Sequence, residues 1–538
     1  MARDSKGVFN QPSAATVTHD EPPPGMQGGA GRSFFGHPVG LSTLFFTEMW
    51  ERFSYYGLRP LLVLFMAAAL ADGGWGFDRG QASAIVGIYG FSVYLASLPG
   101  GWVADRLLGL QRAIFVGACL ITAGHLSIGL SGLSGPGGGK IPFFMGLVLI
   151  VMGTGLLKPN ISAIVGDLYP EGGSRRDAGF SIFYMGINIG AFAGQLITGI
   201  LGEQVGWHWG FGAAGFGMFL GLLFFAWKRG STLQGIGTSP TRLADPVAQA
   251  KRERTVKLTL AVGIGLIALI FLLTTIGTIT LDAQAIGQSM VYVTLGAVAL
   301  FFLYVFVAGG VTSDEKKRIG VIFILFVFAV VFWGAFEQAP TSLNLFARDF
   351  TDRQMGGFEI PTTWFQSVNS FFVILLAPVF AGIWIALGRR NKDFSSPGKF
   401  SLGLGTAAIG FFIMIFAARA VVSGGAGTLV SPWWLVGSYF FQTVGELCLS
   451  PVGLSSMTKL APRQYVGQMM GVWFTASGLG SLIGGLVGGH VDPEKLDQMP
   501  ALFERTTLSL VIAAIVLALL IIPIRRMMRE VPTKQHAH

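Results

Sequence analysis

Charge is scarce in this chain. Asp, Glu, Lys and Arg make up 12% of its 538 residues, against about 25% in a water-soluble domain, so it lacks the polar surface to cover itself in water. Cysteine is scarcer still. Cys119 and Cys448 are the only two; both sit in apolar segments, away from any metal-ligand spacing, which argues against a disulfide scaffold, a zinc site and a thioredoxin motif. No His or Asp cluster stands at metal spacing and no serine elbow is present, so neither an enzyme nor a cofactor is expected. The first residues also lack the apolar core of a secretory signal. Residues 1–37, rich in Pro, Gly and Ser, are expected to be a disordered cytoplasmic tail. The net charge of +9 comes from Lys and Arg in short loops rather than along one basic face, which suits membrane orientation and not nucleic acid.

Apolar residues make up 52% of the chain, in runs long enough to cross a bilayer. Six runs lie near 41–70, 80–105, 113–133, 141–166, 178–202 and 206–227. A polar link of about 30 residues follows, then two runs near 258–280 and 288–309. Six more occupy about 319–339, 362–387, 399–421, 432–458, 465–489 and 505–524. The expectation is an all-α membrane protein of fourteen spans. Its parts would be a bundle over 38–230, a cytoplasmic link with two inserted helices over 231–317, a second bundle over 318–527 and a short cytoplasmic tail over 528–538.

Glycine is abundant, with 77 residues, and it clusters inside the spans, where small residues let helices approach closely in lipid. Gly135 to Lys140 superficially resembles a phosphate-binding loop, but Ser134 stands where Gly is required and Ile141 replaces the Ser or Thr. The sequon at Asn160 falls at the cytoplasmic end of a span and is dismissed as a glycosylation site. With the N-terminus placed in the cytoplasm, 27 Lys and Arg fall on the cytoplasmic side and six on the other. This satisfies the positive-inside rule and puts both termini in the cytoplasm.

An ionised side chain at the bilayer centre costs at least about 2.5 to 3.5 kcal/mol and persists only beside a cavity or a partner. The candidates are Glu48, Glu51, Arg52 and Arg59 in the first span, Lys158 in the fourth, and Glu337 and Glu446 in the second half. At 100° per residue Glu48, Glu51, Arg52, Tyr55 and Arg59 share one stripe, which cannot face lipid. Two carboxylates share the single guanidinium of Arg52, so one is left over. Desolvation and the like charge beside it favour its neutral form, as proton coupling needs; the plainer alternative is a salt-bridge cluster that only fixes helix packing. Arg59 and Lys158 are cationic in the first half, Glu337 and Glu446 anionic in the second. Pairs between them would gate a cavity, and a small zwitterion would compete for the same groups. Tyr55, Tyr56, Tyr94, Asn188, Trp333, Asn369, Ser450 and Trp473 are candidate cavity-lining groups.

The run Glu48-Met-Trp-Glu51-Arg52-Phe53-Ser54-Tyr55-Tyr56-Gly57 resembles the ExxER and FxYYG motifs of the proton-dependent oligopeptide transporters, a branch of the major facilitator superfamily. Gly101 to Arg106 is similar to the superfamily's loop between spans two and three, Phe183 to Gly190 to the family's FYxxINxG, and Gly445-Glu446-Leu447 with Ser450-Pro451 to its tenth-span motif. The resemblance implies a major facilitator fold of two six-helix bundles plus the two inserted helices of prokaryotic members. It also implies proton-coupled import of di- and tripeptides by alternating access, as a monomer in a bacterial inner membrane. Position by position, Glu48, Glu51 and Arg52 would couple protons, and Arg59 and Lys158 would bind the peptide carboxylate. Asn188, Asn369 and Glu446 would hold the amine and backbone, with Tyr55, Tyr56, Tyr94, Ser450, Trp333 and Trp473 around the rest. Arg59 with Glu337, and Lys158 with Glu446, would gate. Animal members carry a His in the second span where this chain has Gly87, so coupling would rest on carboxylates. The alternatives left open are a carrier of nitrate or another small organic anion, and a membrane receptor or channel gated by the same charges.

Overall fold

Lipid offers no hydrogen bonds to a backbone, so apolar runs must close their own, and a single segment does so as a helix. The computed structural model describes residues 33–135, 137–170, 173–390, 392–425 and 427–529. Its first bundle comprises α1 (Gly40–Ala67), α2 (Arg79–Val103), α3 (Leu110–Ser131), α4 (Lys140–Asp167), α5 (Gly173–Gly199) and α6 (Trp207–Thr232). The pair α7 (Pro246–Thr275) and α8 (Ala283–Ala308) follows. The second bundle contains α9 (Ser313–Phe336), a short α10 (Asn344–Phe350), α11 (Trp364–Arg389), α12 (Ser396–Gly424), α13 (Trp433–Leu460), α14 (Val466–Val487) and α15 (Gln498–Arg529).

Each apolar run coincides with a long helix, but several helices outrun it. α7 starts at Pro246 because Asp245 accepts from the amides of Val247 and Ala248 at 2.9 and 3.2 Å, and proline suits a first helical turn. Thr312 and Glu315 form a capping box that starts α9 early. The stretch between the seventh and eighth expected spans is structured too. It holds a π-helical turn at Ala339–Leu343, α10, and a hairpin of β1 (Gln354–Met355) against β2 (Phe358–Glu359). Of the expected tails, residues 1–32 and 530–538 lie outside the described residues. Phe34 to His37 form a tight turn rather than disordered chain, because Phe34 and His37 exchange backbone hydrogen bonds at 3.1 and 3.0 Å and the Phe34 ring lies 5.5 Å from Phe45. Likewise α15 continues to Arg529.

Within the first bundle α1 packs on α5 and α6, and α3 on α4 and α6. In the second, α12 packs on α13 and α15, and α14 on α9. The bundles meet along two seams, α2 with α14 and α5 with α11. α7 buries only Val256, whereas α8 lies along the α2–α14 seam. Glycines make these approaches possible. A Cβ on Gly87 would sit 2.7 Å from the Ser481 carbonyl and 3.0 Å from the Gly485 Cα, and one on Gly194 would sit 2.9 Å from the Phe53 Cα.

Most of the bonds that join the halves gather toward one end. There Arg79 pairs with Asp349, the Asn344 amide donates to the Pro60 carbonyl at 2.8 Å, and Trp364 donates to the Leu196 carbonyl at 3.0 Å. The Glu203 carboxylate, from the first bundle, accepts the Thr362 and Thr363 amides at 2.7 and 2.9 Å. It thereby caps the N-terminus of α11 in the second, where a negative charge is favoured. Among the described residues, the hydrogen bonds and ion pairs that join the bundles lie at this end or at the depth of Arg59. These bonds seal the molecule at that end.

Overpacking a tight contact costs about 1 to 3 kcal/mol. Gly87→Leu should therefore lower the thermal unfolding midpoint of the purified protein, whereas Gly296→Leu on α8, where a Cβ meets no atom within 4 Å, should not. Equal midpoints for the two variants would contradict the close α2–α14 seam.

Candidate functional site

α1 is buried on nearly every side, so its charged stripe has only protein to face. The Arg52 Nε lies 2.7 Å from the Glu48 carboxylate and 2.9 Å from that of Glu51. Both acids thus approach one nitrogen, and the second Glu48 oxygen has no hydrogen-bond partner among the described residues. All three groups are at most 4% exposed. A turn further along, the Tyr55 ring lies 5.9 Å from the guanidinium of Arg52 and 5.9 Å from that of Arg59, and stacks on Tyr89 at 6.0 Å. Tyr55 therefore stands in the wall, and its neighbour Tyr56 faces the cavity behind that wall.

That cavity, of about 280 Å³, lies between the bundles. Arg59, Lys158, Tyr56, Tyr94 and Asn188 line it from the first half. Trp333, Glu337, Asn369, Glu446, Ser450 and Trp473 line it from the second. Arg59 and Glu337 are paired and buried, with Ser481 donating to the same carboxylate at 3.0 Å. Lys158 and Glu446 differ. The Lys158 ammonium lies 4.5 Å from the Tyr94 ring centre, an attraction between cation and ring face, and among the described residues it has no carboxylate within salt-bridge distance. Glu446 accepts from the Asn369 amide at 3.1 Å, the same amide reaching Thr443 at 2.9 Å, and it too has no ion pair among the described residues. The cavity therefore holds one closed pair toward its sealed end, and a free cation and a free anion on opposite walls. Lys158 stands on α4, which packs against α1, the helix that carries the carboxylate cluster.

Proline sits at these places. Pro60 follows Arg59, Pro159 follows Lys158, and Pro451 follows Ser450, each inside a helix; Pro340 interrupts the chain just after Glu337. Each removes a backbone donor and crowds the preceding turn, so the helices are loosened at the residues that line the site.

Several lining groups were not singled out from the sequence: Tyr184, Gln195, Gln366, Tyr439 and Gln442. Helical spacing would have found them. Tyr184 lies four residues before Asn188, Gln366 three before Asn369, and Gln442 and Tyr439 four and seven before Glu446, all on the same helix faces. No group of three or more His, Cys, Asp or Glu suited to a metal ion occurs among the described residues.

The POT family matches residues 111–500 of this chain. The chain is 52% identical to the peptide transporter YePEPT of Yersinia enterocolitica subsp. palearctica, over 94% of this chain and 98% of that one. It is 41% identical to a di-/tripeptide transporter of Lactococcus lactis subsp. cremoris, over 83% and 88% of the two chains. A crystal structure of a peptide transporter POT in complex with sulfate superposes with a TM-score of 0.83 at 40% identity, covering 92% of this chain and 97% of that one.

Removing one partner of a buried pair costs about 3 to 5 kcal/mol because the other charge is left alone. Glu337→Gln should thus lower the thermal midpoint clearly, and adding Arg59→Met should recover most of the loss. A double variant no more stable than the single one would contradict the pairing.

Proposed function

This chain belongs to the POT family, whose members are transporters rather than enzymes, and we propose that it imports di- and tripeptides together with protons by alternating access. The observation that carries this reading is the pair of free, opposite charges facing one cavity, Lys158 and Glu446. A short peptide is a zwitterion whose termini match that separation of sign. Lys158 binds its carboxylate. Glu446 holds its amine, with Asn369 and Asn188 beside it for the backbone amide. Tyr56, Tyr94, Ser450, Trp333 and Trp473 surround the side chains. Tyr55 acts from behind, holding Arg52 and Arg59 apart. A carrier of nitrate or another anion would gain nothing from the free acid at Glu446, and a receptor would not need two gates.

In this reading the 27-to-6 charge bias makes the sealed end extracellular and puts both termini in the cytoplasm of a bacterial inner membrane. The state described here then opens to the cytoplasm, with Arg59 and Glu337 closing the outside and Lys158 and Glu446 apart. In the opposite state the second pair forms and the first parts. Glu48 and Glu51 share Arg52, so a proton on one of them changes which cation each acid prefers, and Lys158 is within reach of that change. Proton entry is driven by the pH gradient plus about 2.3 kcal/mol per charge per 100 mV. The protein works as a monomer, since one chain holds the whole cavity.

In proteoliposomes with an inward pH gradient, dialanine should be accumulated and should acidify the lumen. Hydrogen bonds to charged groups contribute about 1.5 to 3 kcal/mol, so Lys158→Gln and Glu446→Gln should each raise KM for dialanine at least about tenfold. Glu48→Gln and Glu51→Gln should instead lose pH-driven accumulation while keeping peptide exchange. Full accumulation by both of the latter variants would contradict their coupling role, and dialanine failing to move at all would contradict peptide transport.

A further inference from the structure

Beyond the charged layer the cavity continues toward its sealed end, where its polar groups are amides and a phenol. Gln442 lies four residues before Glu446 and Gln366 three before Asn369. α13 and α11 both begin at the sealed end, so this layer is about 6 Å deeper than the charged one. Gln195 lines the same end of the cavity from α5, seven residues and about 10 Å beyond Asn188.

These groups are buried and incompletely bonded. The Gln366 amide nitrogen donates to the Ala339 carbonyl at 2.7 Å and to the Tyr439 hydroxyl at 2.8 Å. A carbonyl can only accept, so this fixes which end of Gln366 is which and leaves the Tyr439 proton to be given elsewhere. Gln442 bonds to Ser438 at 2.9 Å, and its oxygen is buried without a partner among the described residues. A hydroxyl both donates and accepts, so whichever end of the Gln442 amide meets Ser438, the other end is left over. The Gln195 side-chain oxygen is likewise buried without a partner among the described residues. Gln442 is 1% exposed and Gln195 5%, so once the cavity closes on a ligand, water cannot serve them. A buried polar group left unbonded is costly, and a ligand able to bond it is favoured over one that is not. Among the described residues the charges nearest this end of the cavity, Arg59 and Glu337, satisfy each other, so an ionic side chain entering it would lose its solvent without a counter-charge of its own.

We propose that Gln195, Gln366, Tyr439 and Gln442 form a subsite for the side chain of the residue that carries the substrate's free amine. The subsite prefers an uncharged hydrogen-bonding side chain, a carboxamide or hydroxyl, to an apolar one of equal size. This rests on the reading that Glu446 holds the amine, since only then does the first side chain point into the amide layer.

The test is competition against labelled dialanine uptake in proteoliposomes by asparaginyl-alanine and leucyl-alanine, whose first side chains are nearly equal in volume. One or two neutral hydrogen bonds correspond to a preference of about three- to tenfold. The native protein should be inhibited by asparaginyl-alanine at that much lower a concentration. The reversed peptides, alanyl-asparagine and alanyl-leucine, should not differ in this way. Gln442→Leu and Gln195→Leu should each bring the ratio toward one or invert it. Because the ratio is taken within each variant, lower expression or slower turnover cancels. Equal inhibition by the two peptides in native protein that takes up dialanine overturns the subsite alone, as does an unchanged ratio in both variants. A preference confined to the reversed peptides overturns its assignment to the first residue. Absence of dialanine uptake in native protein overturns the transport reading and the subsite with it.

Discussion

A carboxylate or an ammonium in a membrane interior must find a partner, and this chain arranges its partners so that they cannot all be satisfied at once. Arg59 and Glu337 hold each other and seal one end. Glu48 and Glu51 share Arg52. Lys158 and Glu446 face the cavity from opposite bundles, the first against the Tyr94 ring and the second against the Asn369 amide, and neither has an ion pair among the described residues. The Coulomb energy of a pair grows as water leaves, so a proton or a zwitterion that alters one pairing changes which end of the molecule can close. The opposite signs on the two halves make this exchange possible, because every gating pair has to cross the interface.

The backbone supports that exchange in two ways. Glycines at the α2–α14 seam and along α5 bring helices into backbone contact, giving each bundle and seam a close-packed surface that moves as a unit. Prolines beside Arg59, Lys158, Ser450 and Glu337 loosen the helices where charged or polar groups line the cavity. The Glu203 cap on α11 adds a bond that exists only while the sealed end is shut, since its two partners belong to different halves.

The fourteen long helices among the described residues were legible because lipid-facing runs must be long and apolar, and the buried charges because the membrane tolerates none without cause. The Glu48, Glu51 and Arg52 cluster could be placed on one helix face from spacing alone. Helix ends were less legible, since the caps at Asp245 and Thr312 extend α7 and α9 into polar sequence that carries no hydropathy signal. The folded segment between α9 and α11 was missed because its mainly apolar run, Leu343 to Phe350, is too short to signal a span of its own. Tyr55 is expected in the cavity as a polar aromatic near the middle of a span and from the family resemblance, but its ring lies between the guanidinium groups of Arg52 and Arg59 and stands in the wall. The amide layer escaped attention because Gln carries no charge to flag it inside a span.

The most direct test of the account is a pair of distances across the two ends of the reconstituted protein. Spin labels at Leu70 and Met355 would report the sealed end, and labels at Asp177 and Thr458 the open one, all four being exposed positions. On adding dialanine at low pH, the first distance should lengthen in a fraction of molecules as the second shortens in the same fraction. Both ends opening together, or neither responding, would contradict an exchange of charge pairs between the two halves.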